Sequence, residues 1–119
     1  MKVRLAQIAH ARSGDKANRA DIGLFAWNAA GYALIERHVT PERVAAHFAH
    51  LLAQPGVQAV ERYPLPNLLA IKWVLNGALG GAAGSLRSDN LGKTLGALML
   101  RMEIELDEAQ ARAARPDAA

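Results

Sequence analysis

Apolar and polar positions alternate with a period that changes along the chain, and each change marks a structural element. Val3, Leu5 and Ile8 predict a strand over residues 2–10, with a bulge where the alternation slips at Gln7. Residues 11–21 read ARSGDKANRAD, turn chemistry throughout, and predict a polar loop. Ile22, Leu24 and Ala26 then alternate with Gly23, Phe25 and Trp27, so both faces are apolar and the segment suits a strand inside a sheet. Strand, loop and strand form a wide hairpin that puts residues 13–16 at one end of the sheet.

Asn28 is placed to cap a short helix over residues 28–38, weakened by Gly31. The next helix is better signalled: Thr40 as cap, Pro41 in the first turn, Glu42 behind it, then Val44, Phe48, Leu51 and Leu52 on one face, with Pro55-Gly56 as the stop. Residues 57–63 predict a strand and residues 64–67, PLPN, a turn. In residues 68–75 the alternation of Leu69, Ile71, Trp73 and Leu75 favours a strand, although an apolar run of this length also suits a buried helix. Ser88 or Asp89 caps a further helix with Leu91, Leu95, Leu98 and Met102 on one face, and Gly92 and Gly96 give it a smooth strip for close packing. Met102, Ile104 and Leu106 alternate with Glu103 and Glu105 as a last strand. Residues 107–119 carry no large apolar side chain and are expected to fray, leaving residues 1–106 as the single domain. The order β, β, α, β, β, α, β predicts an α+β fold: a ferredoxin-like antiparallel sheet with helices packed on one face, plus an extra strand.

Composition adjusts this picture in three ways. Only 5% of the 119 residues are aromatic while 51% are hydrophobic, so Leu, Ile, Val and Ala must build the core, and part of the stability is expected from a homo-oligomer interface. The net charge of +3 comes from basic residues scattered along the chain, with no basic run and no interleaved aromatic platform, which argues against nucleic acid as a partner. With no cysteine there are no disulfides, no thiolate nucleophiles and no Cys-based zinc sites. The opening MKVRLAQIAH lacks the apolar core of a signal peptide, and the apolar stretch from Leu68 is interrupted by Lys72 and Asn76 before it reaches the roughly 20 residues of a membrane span. The expectation is a cytoplasmic protein with no membrane association.

Two polar clusters carry the candidate chemistry. Residues 76–93 read NGALGGAAGSLRSDNLGK and hold half of the ten glycines. A backbone-rich loop entering a helix offers free N–H donors and a positive dipole end, and Arg87 and Lys93 add charge, so an anion fits there. A tight turn packed on a neighbour explains the same glycines equally well. Ser13, Gly14, Asp15 and Lys16 combine a hydroxyl, a flexible turn, a carboxylate and an amine: either a ligand loop or a plain polar hairpin turn. His10 lies close in sequence, but a Ser-His-Asp triad is recognised by geometry rather than proximity. His47 and His50, three apart on a helix, lack the further ligands of a metal site, and the glycines match neither the Walker nor the dinucleotide pattern, so no metal or cofactor is expected.

Taken together, AHARSGDKANRADIG (residues 9–23), HVTPERVAAHF (38–48) and ERYPLPNLLAIKWVLNGALGGAAGSLRSDNLGK (61–93) resemble the AtuA-like ferredoxin-fold domain. That domain forms the C-terminal part of acyclic terpene utilisation proteins and also occurs as a small separate chain. The resemblance implies a ferredoxin-like domain, a larger AtuA-like chain as partner, and a setting in acyl-CoA or acyclic terpenoid catabolism, with no established mechanism attached. Ser13, Gly14, Asp15, Lys16, Asn18, Asn76, Gly80, Gly81, Ser85, Arg87, Asp89 and Lys93 match its motif positions and form the candidate ligand site. Within that set Asp15, Lys16, Arg87 and Asp89 are the candidates for chemistry. The function expected is an accessory subunit binding an anionic small molecule, such as an acyl-CoA or a carboxylate. The alternative is an assembly module without chemistry, in which the glycines form a subunit interface.

Overall fold

A computed structural model describes residues 1–16, 19–52, 56–77 and 95–116. The strand expected over residues 2–10 is divided into β1 (Lys2–Arg4) and β2 (Ala9–Lys16) by a 3₁₀ turn at Leu5–Gln7. Leu5 and Ile8 are both fully buried, and three residues apart they would fall on opposite faces of a strand. A 3₁₀ turn returns to the same side every three residues and buries both. The turn is held by the N–H groups of Leu5 and Ala6, which donate to the carbonyls of Met102 and Leu100 at 2.9 and 3.0 Å. Here the chain changes partner. β1 pairs antiparallel with β6 (Glu103–Glu105), while β2 enters a four-stranded antiparallel sheet of order β2-β3-β5-β4, with β3 at Arg19–Ala26, β4 at Val60–Leu65 and β5 at Ala70–Asn76. The fold is therefore α+β and ferredoxin-like, with its antiparallel pairing divided between two sheets.

Most of the segment read as a polar loop is strand. Ser13 pairs with Ile22, Gly14 with Asp21 and Lys16 with Arg19, which leaves only residues 17–18 between β2 and β3. Local turn preference gives way because Ala11 and Ser13 share a face with Leu24 and Ile22, where tertiary packing decides the conformation. Residues 70–76 are strand, as the alternation in the apolar run favours. β4 starts later than expected, after a 3₁₀ turn at Val57–Ala59, and runs through Pro64, which an edge strand tolerates.

One face of the four-stranded sheet is covered and the other is open. On the covered face Ile22, Leu24, Ile71, Trp73 and Leu75 form a core with Leu34, Ile35, Val44, Phe48, Leu95 and Met99. Helix α1 (Ala29–His38) is capped by Asn28, whose Oδ1 accepts the Gly31 N–H at 2.8 Å, and α2 (Pro41–His47) by Thr40, whose Oγ1 accepts the Arg43 N–H at 3.2 Å. α2 is shorter than its pattern suggested: Leu52 is buried by a further 3₁₀ turn, Ala49–Leu51, instead of by continued helix. The start expected at Ser88 or Asp89 for the next helix lies outside the described residues; residues 95–99 are helical, with Leu95 and Met99 buried.

The expected frayed tail is instead a helix, α3 (Glu108–Ala114), started by a capping box between Asp107 and Gln110. It needs no large side chain because it lies very close to α1. A Cβ placed on Gly31 would stand 3.6 Å from that of Ala114, and Ala111 and Ala114 are both buried. Asn28 ties the two together by donating from Nδ2 to the Ala113 carbonyl at 2.9 Å. Among the described residues no helix is long and apolar enough to cross a membrane.

Candidate functional site

The site builds up from the end of the sheet where β2 turns into β3. Ser13 lies on the covered face, and its Oγ accepts the Gly96 N–H at 3.0 Å. A Cβ on Gly96 would sit 3.2 Å from that oxygen and 3.5 Å from the Ala11 Cβ, so the helical segment reaches β2 this closely because residue 96 is glycine. At this position the smooth strip read from Gly92 and Gly96 therefore packs against the chain's own sheet. Gly96 lies just beyond the C-terminal end of the glycine-rich stretch.

The N-terminal end of that stretch lies beside the same turn. Asn76, the last residue of β5, stands opposite Arg19, which in turn stands opposite Lys16. Gly77 follows at φ 77°, a left-handed conformation that favours glycine, and leads the chain off the sheet. Asn76, at the start of the stretch, and Gly96, three residues past its end, thus both lie at this end of the sheet. Asn18, Gly80, Gly81, Ser85, Arg87, Asp89 and Lys93 lie outside the described residues; Asp15 and Lys16 are placed by register, opposite Ala20 and Arg19.

A polar cluster joins this end of the sheet that sequence reasoning did not single out. Glu61 of β4 accepts from Asn76 Nδ2 at 2.7 Å, pairs with Arg19 at 3.4 Å, and accepts from the Tyr63 hydroxyl through its other oxygen. The Asn76 hydrogen bond, then that of Tyr63, hold the Glu61 carboxyl below its ordinary range, and the same bond to Glu61 raises the Tyr63 hydroxyl. The available signal was the spacing of Glu61 and Tyr63, two apart and so on one face of a strand.

The open face carries a second feature, a groove of about 320 Å³ across β2, β3 and β5 toward Leu65 of β4. Gly23 has no side chain, and the Phe25 ring takes that space. The Phe25 ring folds over that residue so closely that a Cβ there would stand 2.8 Å from Phe25 Cε2. Polarity changes along the groove: Phe25, Ala70 and Leu65 are aligned across the strands in one row, Gly23 and Lys72 in the next, and Gly14 and Asp21 in the row nearest the turn. Lys72 pairs with Asp21 at 3.7 Å, so the polar end carries a balanced pair of charges.

Other candidates are accounted for locally. His10 stacks on Phe25 and Trp27, with ring centroids 5.2 and 4.4 Å away, on the open face; Ser13 lies on the covered one, so the two cannot act as a nucleophile pair. His47 Nε2 bonds the Leu98 carbonyl at 2.7 Å. It lines a larger cleft of about 610 Å³ between α2 and β6, where Arg43 is likewise committed, donating to the Glu103 carbonyl at 2.9 Å. Among the described residues no group of His, Asp or Glu is arranged to hold a metal ion.

Compared with known families, the chain matches the AtuA ferredoxin-like domain over residues 3–105. No curated protein and no solved structure matches it.

Proposed function

The chain belongs to the family of AtuA ferredoxin-like domains, and from that premise we propose that it is an accessory subunit or domain that binds an anionic small molecule, a carboxylate or the anionic end of an acyl-CoA, beside the β2–β3 turn. The observation that supports this reading is that Asn76-Gly77, where the glycine-rich stretch starts, and Gly96, three residues past its end, both lie at the end of the sheet that holds residues 13–16. In this reading Lys16 and Arg87 supply the charge, Arg87 gripping an oxyanion through two donors, while Asp15 or Asp89 orients the ligand or exchanges a proton. Backbone N–H groups of the glycine-rich stretch line the site. Glu61 already neutralises Arg19, so the ligand's charge falls to Lys16 and Arg87.

Thermal shift against phosphate, short carboxylates and acyl-CoA tests it. A ligand at a hundred times its dissociation constant stabilises by about 2.7 kcal/mol, a shift of several degrees for a domain of this size. At least one ligand should produce that shift in the wild type and lose it in the Lys16→Ala, Arg87→Ala double variant. A panel without effect, or an undiminished shift in the double variant, contradicts the reading.

A second reading, assembly with another copy or with a larger AtuA-like chain, draws on Trp27 and Leu68, which are 46% and 62% exposed at the opposite end of the sheet. Sizing of the wild type and of a Trp27→Ser, Leu68→Ser double variant checks it: assembly through these side chains requires an oligomer that the substitutions disrupt.

A further inference from the structure

Of the chain's two Trp, two Tyr and two Phe, half stand on the open face of the four-stranded sheet: Phe25, Trp27 and Tyr63. Trp27 and Tyr63 are each 46% exposed and Leu65 is 39% exposed. In a chain so poor in aromatics, this concentration of uncovered apolar surface marks an interface. We infer that two copies of the chain pack open face against open face, related by a two-fold axis that runs along the strands between β3 and β5. This inference rests on the assembly reading above and names its partner, a second copy, and its surface.

The strand order makes the face complementary to itself. A two-fold rotation reverses β2-β3-β5-β4, so β2 faces β4 of the second copy and β3 faces β5, while each row keeps its level along the strands. The row that holds Phe25 and Leu65 therefore meets the same apolar row of the second copy. Acids and bases divide between facing strands. Arg12 faces a strand that carries Tyr63 in its own row and Glu61 in the next, and Lys72 faces one that carries Asp21 in the next row. Among the described residues no two like charges face each other at one level. Arg12 is exposed and has no carboxylate partner among the described residues, and the Glu61 of the second copy supplies one. Each carboxylate of this face already holds a cation of its own chain, Asp21 with Lys72 at 3.7 Å and Glu61 with Arg19 at 3.4 Å, so a covering sheet leaves neither unpaired. Four strands about 4.8 Å apart and about seven residues long span roughly 400 Å² in projection. That is the lower end of specific interfaces, which predicts a dimer that dissociates on dilution.

Sedimentation of the full chain over a wide range of concentration tests the assignment. The wild type should pass from monomer to dimer and stop there, because a two-fold contact closes on itself. Leu65→Asp and Arg12→Glu change side chains that lie outside the core, and each should raise the dissociation constant by about tenfold or more, since the symmetry repeats every lost contact. Their melting at dilutions where the wild type is monomeric should match the wild type, which separates a lost interface from a damaged fold. A wild type that stays monomeric throughout overturns this inference and the assembly reading together. A dimer that the Trp27→Ser, Leu68→Ser double variant dissociates, while Leu65→Asp and Arg12→Glu leave it intact, keeps assembly and overturns the sheet-to-sheet docking. A dimer weakened by none of these changes overturns both, and growth beyond the dimer overturns the two-fold arrangement.

Discussion

Ser13 and Gly96 meet across 83 residues of sequence, and their contact is the most local test of how the site is held. Ser13→Ala leaves the half-buried Gly96 N–H without this acceptor and should destabilise the protein by about 1–2 kcal/mol in chemical denaturation. Gly96→Val forces a side chain into space already bounded by Ser13 and Ala11 and should cost about 1–3 kcal/mol. Glu61 makes a pH-dependent prediction. Its folded-state carboxyl is held below the ordinary value of 4.5, so the stability it contributes is fully present above that pH and is lost as pH falls through the depressed folded value. Denaturation of wild type and Glu61→Gln between neutral and strongly acidic pH should show an advantage for the wild type that disappears at the acid end; parallel curves at every pH contradict it. The value of glycine at residue 96 was legible as a four-residue spacing with Gly92, but its partner was not, because sequence periodicity identifies a smooth face without identifying what packs on it. Glu61 was missed for a related reason. Its importance comes from Asn76 and Arg19, which only sheet register brings alongside.

At the scale of elements, caps and regular alternation were the readable parts. Asn28 and Thr40 cap α1 and α2 as their side-chain chemistry indicates, and β6 follows the period-two burial of its alternating residues. What escaped was conformation decided by tertiary contact. Residues 13–16 read as a turn yet lie in β2 because β3 offers a partner for each, and the 3₁₀ turn at Leu5–Gln7 is fixed by carbonyls of Met102 and Leu100 from the far end of the chain. α3 was hidden because glycine against alanine packs closely with no large apolar residue to announce it. Asn28 serves two elements at once, capping α1 and donating to the Ala113 carbonyl of α3. Asn28→Ala should therefore cost more than the roughly 1 kcal/mol expected for Thr40→Ala, and amide exchange within residues 108–114 should accelerate in the Asn28 variant alone. Equal cost, with exchange in α3 unchanged, would show that α3 holds its place without Asn28.

Across the whole molecule, the division into two sheets and the glycine-rich crossing have a common result: one end of the four-stranded sheet gathers strand ends from β2, β3, β4 and β5 together with both ends of residues 77–96. The fold leaves the opposite sheet face open, with a groove leading to that end. Family and fold class could be read from residue order, whereas the placement of Asn76 in line with Arg19 and Lys16 needed the register. The measurement that bears most directly on a ligand site there is the amide spectrum of the labelled protein during titration with octanoate. Saturable shifts concentrated at residues 14–16, 19, 76 and 77 are predicted. Shifts absent throughout, or confined to the cleft between α2 and β6, would contradict a ligand site at this end of the sheet.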